Sequence, residues 1–394
     1  MSNGSSTPPA RPRMGSVDFD RTPFVAIWEV TRACDLACRH CRAEAIADAD
    51  PRELSTEEGF GLLDSLAAMG TPICVLSGGD PAKRADLLDL VRHGTDAGMQ
   101  VATIPAATPL LTRELVQGLK DAGLAQMAMS LDGPTAEVHD TFRKTPGAFD
   151  LTMRGAGYAR EVGLPLQINT TFGEFNRDHF DEMAQLVKDL GVVFWEVFFL
   201  VPMGRGRELG QMNAQQFESL FARLAAFGRT VDFIIKIVEA PHFRRYLLQH
   251  PHDGRGAETR PTASGHPGGH PGGHPGMPAN LTRNVEGGGG APIGLAARGV
   301  NAGNGHLFVS HLGDICPSGF LPLVCGNVRT DSLAEVYRSH TVFRQLRNPK
   351  LLQGRCGICE YAEICGGSRS RAYAMTGDYL AEEPFCIYEP ARRH

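Results

Sequence analysis

The chain has 394 residues, a formal net charge of −5 and 42% hydrophobic residues, enough for two domains with sizeable cores. No apolar run is long enough to span a bilayer, the first 20 residues hold no apolar stretch of the kind that directs secretion, and 39 Lys and Arg scattered along a slightly acidic chain form no basic stripe. A cytoplasmic protein is expected, with neither membrane nor nucleic acid among its partners.

Residues 1–22 are rich in Ser, Pro, Arg and Gly without apolar periodicity, and are expected to be a disordered tail. From residue 23 to 250 one unit repeats, an apolar strand-like run followed by an amphipathic helix. The runs are Phe24–Thr31, Ile73–Gly79, Gln100–Pro105, Gln126–Asp132, Leu166–Phe172 and Val192–Val201. The first helix opens at Ser55-Thr-Glu-Glu58, a capping-box pattern. Gly70, Gly98, Gly123, Gly163 and Gly191 stand where helices would end, just before strands. Strands alternating with helices imply a parallel sheet, and nearly continuous apolar strands a sheet covered on both faces. Six units fall short of the eight of a closed barrel, so an α/β fold with an open, partial barrel is expected. Residues 251–304 break the rhythm with a Gly/Pro-rich stretch that repeats His266, His270 and His274 at four-residue intervals, expected to be a flexible insertion. The histidines read either as a metal-sequestering loop or as a low-complexity expansion. His306 and His311, flanking Leu307–Ser310, read as structural. Residues 305–394 form a small cysteine-rich module.

The ten cysteines carry the functional reading. Cys34, Cys38 and Cys41 follow the first strand at x3 and x2 spacing, where an α/β barrel places its chemistry. Three thiolates so spaced can wrap one [4Fe–4S] cluster and leave its fourth iron open. Zinc is the alternative, but His40 adjoins Cys41 too closely to complete a tetrahedron easily. Near the C-terminus, Cys356, Cys359, Cys365 and Cys386 supply four thiolates for a closed cluster or, alternatively, a structural zinc. Cys316 and Cys325 are left as a half-site. Cys74, between Ile73 and Val75, reads as core filling.

Cys34-x3-Cys38-x2-Cys41, with Ser77-Gly-Gly-Asp-Pro81 ending the second strand, resembles the radical S-adenosylmethionine (SAM) superfamily. The resemblance implies a partial (β/α)6 TIM-like barrel and an oxidoreductase whose cluster reductively cleaves SAM to a 5′-deoxyadenosyl radical. It implies that Gly78, Gly79 and Asp80 hold the methionine ammonium, with Asp80 one methylene shorter than the family's Glu. Ser130 and Arg143 would reach the ribose and carboxylate of SAM, and Asn169 matches a further SAM-contacting position. The C-terminal module resembles the SPASM domain, an auxiliary iron–sulfur module. That resemblance maps Cys356, Cys359, Cys365 and Cys386 onto one auxiliary [4Fe–4S] cluster. Where the family continues with another cysteine, Cys365-Gly-Gly-Ser368-Arg369 offers a serine, so no stable second auxiliary cluster is expected on Cys316 and Cys325.

Cys365-Gly-Gly-x-Arg-x-Arg-Ala with Thr376-Gly-Asp378 resembles the tetrapyrrole branch, whose members modify porphyrin side chains in haem and haem d1 formation. The implied partners are a tetrapyrrole substrate and a flavodoxin- or ferredoxin-type electron donor. A maturase of a ribosomal peptide and a non-catalytic iron–sulfur scaffold are the alternatives.

Overall fold

The computed structural model describes residues 17–250 and 300–391. The expected tail before Val17 and the His266/His270/His274 repeat lie outside the described residues. Among the described residues, no helix is long and apolar enough to cross a membrane.

All six expected strands are present: β1 (Val25–Thr31), β2 (Ile73–Gly78), β3 (Gln100–Thr103), β4 (Gln126–Ser130), β5 (Leu166–Phe172) and β6 (Phe194–Phe199). Each pairs in parallel with the next. Between them run α1 (Thr56–Ala68), α2 (Leu87–Asp96), α3 (Arg113–Asp121), α4 (Ala136–Arg143), α5 (Ala148–Val162) and α6 (Phe180–Asp189). Ser55 and Glu58 form the expected capping box of α1. The five glycines expected to end helices all take positive φ, the left-handed conformation that a residue with Cβ rarely adopts. On their helix-facing side the strands bury Trp28, Val30, Leu76, Met129, Ile168 and Trp195 in one continuous core, the dominant source of stability in such a layer.

The sheet is larger than six strands. After α7 (Ala214–Gly228), β7 (Ile234–Val238) pairs in parallel with β6. On the opposite edge β8 (His306–Val309) pairs in parallel with β1, Val25 opposite His306. β9 (Asp314–Cys316) and β10 (Gly326–Asn327) continue as an antiparallel meander. The order is β10-β9-β8-β1-β2-β3-β4-β5-β6-β7, and β7 and β8 are not paired to each other, so the barrel is open.

Parts of the two segments expected to be irregular are held against the fold. Arg21 and Thr22 donate backbone hydrogen bonds to Asp18, and the Phe19 carbonyl accepts from the Tyr337 hydroxyl at 2.8 Å. Asn301 and Asn304 exchange backbone hydrogen bonds, and the Asn301 side chain donates to the Gly367 carbonyl. The C-terminal module is not a separate body: β8 completes the barrel's sheet. The hydrophobic run Leu307–Val309 is therefore core strand, and His306 and His311 take the structural positions expected.

Candidate functional site: two cysteine clusters

The three-cysteine loop leaves β1 and is held by four neighbouring segments. The Cys34 N–H donates to the Ile46 carbonyl at 2.8 Å and the Ile46 N–H to the Arg32 carbonyl at 3.1 Å, pinning both ends of the loop. The Gly79 and Asp80 N–H groups donate to Thr31 and Ala33 carbonyls at 2.8 and 2.7 Å. A Cβ on Gly79 would stand 2.4 Å from the Ala33 carbonyl oxygen, and one on Gly78 2.3 Å from that of Thr31. Both glycines are thus required by the close pass of the second strand against the cysteine loop. Arg39 N–H donates to the carbonyl of Phe142 at the end of α4. Arg205, in the turn after β6, donates its Nε to the Cys38 carbonyl at 2.9 Å and its N–H to that of Cys41 at 3.1 Å.

Cys38 is buried, while Cys34 and Cys41 are half-buried. Burial pushes the Cys34 thiol up to about 11, with Asp80, Cys38 and Cys41 adding to the rise. Leu36 N–H opposes this by pointing at Cys34 Sγ, and Arg143 Nη1 points at Cys38 Sγ, each at 3.4 Å. Arg143 Nε, Arg205 Nη2 and His40 Nδ1 are buried without a hydrogen-bond partner around the same loop. Three neighbouring thiols, N–H donors aimed at them and buried unpartnered donors beside them fit an iron–sulfur cluster.

The other expected residues fall around the same end of the barrel, with differing freedom. Asp80 is fully buried and both carboxylate oxygens are engaged, by Ala82 N–H, Ala106 N–H and the Thr108 hydroxyl. It therefore ties the loop after β2 to the loop after β3. Ser130 and Asn169 are neighbours in register, and the row continues to Glu196 and Lys236 across β6 and β7. Adjacent positions Met129, Ile168, Trp195 and Ile235 belong to the helix-facing core, so this row faces the barrel interior. Asn169 Oδ1 accepts from Gln167 Nε2 at 2.6 Å, Gln167 Nε2 also reaches Glu196 Oε2 at 3.0 Å, and Lys236 Nζ donates to Glu196 Oε1 at 2.9 Å. On the other edge of the open barrel, Arg42 pairs with Glu29 at 3.2 Å and lies over the Phe308 ring. His306 sits between the two edges: burial above all, and then the charges of Lys236 and Arg42, push its ring down to about 4. The interior therefore carries two cations from opposite edges, beside amide and hydroxyl groups.

Arg143 is placed differently from an unengaged carboxylate clamp. Its guanidinium is ion-paired with Asp132 and hydrogen-bonded to Cys38 Sγ. Burial works against its charge, but Asp132 and Cys38 together hold its proton more tightly than usual.

The four C-terminal cysteines converge on a single cavity, lined also by His242, Arg245 and Glu383. Glu383 N–H donates to Cys356 Sγ at 3.3 Å and Gly367 N–H to Cys365 Sγ at 3.5 Å. Burial pushes Cys365 up to about 12, with Cys356 and Cys386 contributing. This set too fits a cluster, here with a thiol for every iron. Cys316 lies on β9 opposite Phe308, and burial first, then the neighbouring Cys325, push its thiol up.

Ser368 is fully buried; its Oγ caps the helix Arg369–Thr376 at Arg371 N–H and donates to Glu239. Arg369 spans the Gly367, Tyr379 and Ala381 carbonyls. Sequence reasoning did not foresee the pair beneath the cavity: Arg371 and Glu383 form a fully buried ion pair, and Arg371 reaches the Phe199 and Leu200 carbonyls at the end of β6. Asp132, Arg205, Glu196 and Lys236 were equally unmarked. Only Asp132 carried a local signal, closing the apolar run Gln126–Asp132.

This combination of an open α/β barrel, a three-thiol loop after its first strand and a four-thiol module behind it defines a radical SAM enzyme with an auxiliary iron–sulfur domain, and the chain belongs to that superfamily. The Radical SAM superfamily model matches residues 28–187, and the SPASM iron–sulfur cluster-binding domain matches 301–360. The chain is 38% identical over 368 residues to the AdoMet-dependent heme synthase of Oleidesulfovibrio alaskensis, covering 93% of this chain and 87% of that protein. It is 37% identical to the AdoMet-dependent heme synthase of Methanosarcina barkeri, covering 96% and 100%. In fold it is similar to Streptococcus suis SuiB, solved with S-adenosylmethionine and with its precursor peptide SuiA, at a TM-score of 0.66 and 14% identity; these matches cover 93% of this chain and 78% and 76% of the solved chains. The cofactors are SAM with a [4Fe–4S] cluster, and an auxiliary cluster in the SPASM domain.

Proposed function

We propose that this enzyme modifies a side chain of a haem-type tetrapyrrole precursor. The observation that carries the reading is identity to AdoMet-dependent heme synthases along almost the whole chain, barrel and auxiliary module together. The interior supports it: Lys236 and Arg42 offer cations to the carboxylates of a porphyrin from opposite edges of the opening. Cys34, Cys38 and Cys41 would hold the [4Fe–4S] cluster, which when bound would supply the electron for reductive cleavage of SAM. The protein's own part is to place and shield. Gly78 and Gly79 bring the backbone close to the loop for the methionine ammonium, and Asp80 keeps that turn in shape. Ser130 and Asn169 offer polar groups to the ribose side, and Arg143 serves the carboxylate of SAM with its unpartnered Nε. Cys356, Cys359, Cys365 and Cys386 hold one auxiliary cluster; Ser368 and Arg369, both committed to other hydrogen bonds, leave Cys316 and Cys325 without the ligands for a second. The electron donor is a low-potential protein of flavodoxin or ferredoxin type, in the cytoplasm.

Anaerobic reconstitution, reduction and addition of SAM test the reading. Release of 5′-deoxyadenosine is expected, accelerated by a propionate-bearing iron porphyrin that acquires label in the reaction. Acceleration by a small peptide alone would favour the maturase reading that the peptide-bound fold neighbour suggests. Absence of 5′-deoxyadenosine would leave only a scaffold. Cys356→Ala is expected to lose iron that Cys316→Ala retains.

A further inference from the structure

Arg143 and Asp132 stand out among the buried charges because one of their partners is a cluster ligand. Arg143 is the last residue of α4, and the residue after it turns into the left-handed region with φ 51°. The guanidinium is thereby directed back beneath the cysteine loop, where Nη2 meets Asp132 and Nη1 meets Cys38 Sγ at 3.4 Å. Asp132, two residues past the end of β4, is fully buried and hydrogen-bonded to β5 and the loop after it. Its Oδ1 accepts from Thr171 N–H at 2.7 Å, its N–H donates to His139 Nδ1, and its carbonyl accepts from Asn176. Burial would raise this carboxyl, but Arg143 first, then the nearby histidines and the Thr171 N–H, hold it below its ordinary value. Two guanidinium groups thus approach Cys38: Arg143 on its sulfur, with Asp132 behind it, and Arg205 on its carbonyl.

We propose that Arg143, oriented by Asp132, sets the reduction potential of the cluster bound by Cys34, Cys38 and Cys41 through its hydrogen bond to the Cys38 thiolate. This rests on the radical SAM reading of the loop and adds a positioning role to it. A cation donated to a coordinating sulfur favours the more negative, reduced cluster and so raises the potential. The anion behind it limits the effect. Removing the cation and removing the anion must therefore move the potential in opposite directions.

The test is an EPR-monitored redox titration of SAM-free holoprotein, the relevant signal being the one that changes when SAM is added. Arg143→Gln is expected to lower the reduced-to-oxidised ratio at fixed potential about tenfold, equivalent to about −59 mV for a one-electron couple. Asp132→Asn is expected to raise it. Because a single uncompensated buried charge can impair folding, the neutral double variant Arg143→Gln/Asp132→Asn completes the series. It is expected to fall between wild type and Arg143→Gln, and Arg143→Lys nearer to wild type than either. Unmoved potentials in folded, fully loaded variants, or shifts of the same sign for both single variants, would overturn the proposal. Weakened SAM binding with an unmoved SAM-free potential would assign Arg143 to the SAM carboxylate alone. If Cys38→Ala kept all its iron, the reading of the loop would fail, and the proposal with it.

Discussion

The two cysteine sites solve opposite problems with the same ligand chemistry. At the barrel mouth three thiols come from a single eight-residue loop, and backbone hydrogen bonds from β2, α4 and the turn after β6 hold it in place. In the C-terminal module four thiols come from segments spread over residues 356–386 and close around a lined cavity. The first arrangement offers three thiols, one fewer than the irons of a [4Fe–4S] cluster, and places a charged side chain on one sulfur; the second offers four. An open site is thus built locally and braced from outside, whereas a closed site is itself the brace for the chain around it.

The largest expected effect separates the two sites by activity. Cys38→Ala should reduce SAM cleavage to background, whereas Cys359→Ala should lose the auxiliary iron and still release 5′-deoxyadenosine, as product chromatography and iron content would show. Equal loss of cleavage in both would dissolve the distinction. Next in size is the support beneath the closed site. Glu383→Gln leaves Arg371 buried without its counter-charge, and should cost about 3–5 kcal/mol in denaturant unfolding.

The open site depends on close backbone approach instead. Gly79→Ala, whose Cβ would meet the Ala33 and Arg32 carbonyls at 2.4 and 2.7 Å, should cost about 1–3 kcal/mol and lower iron incorporation. Gly61→Ala on α1, with open space around the new methyl, should stabilise by about 0.5–1 kcal/mol.

The last effect is absent at neutral pH and appears only as a slope on acidification. Burial drives His242, beside the closed site, down to about 3 from 6.5. As pH falls below 6.5 the unfolded chain takes up a proton that the native ring refuses, so stability is lost down to about pH 3 at up to about 1.4 kcal/mol per pH unit. His242→Phe should flatten that part of the acid profile and leave neutral pH nearly unchanged. An unaltered slope would mean that other groups carry it.

Much of the barrel was legible because its strands are nearly continuous apolar runs closed by glycines that must turn left-handed. β7 was missed since Lys236 interrupts a short run, Ile234–Val238, and its charge is satisfied only by Glu196 on the next strand. β8 was visible as an apolar run but not as part of the barrel, because its partner lies some 280 residues earlier. The cysteine sets were legible for the reason that ligand spacing is local. The engagement of Arg143 by Asp132 and Cys38, and of Ser368 by Glu239, was not, since each joins residues from different elements whose neighbours no local pattern reveals. Asp80 is intermediate: its motif was recognisable, while the burial of its carboxylate against Thr108 required the fold.

The pairing of β8 with β1 has a consequence for how the molecule is made. β1 delivers the catalytic cysteine loop, yet its second flank is supplied by residues 306–309, about three-quarters of the way along the chain. During synthesis the loop emerges long before that flank exists, and contacts so distant in sequence form slowly. The nascent barrel therefore waits with one side of its first strand bare, although the segments that hold the cysteine loop itself end at Arg205.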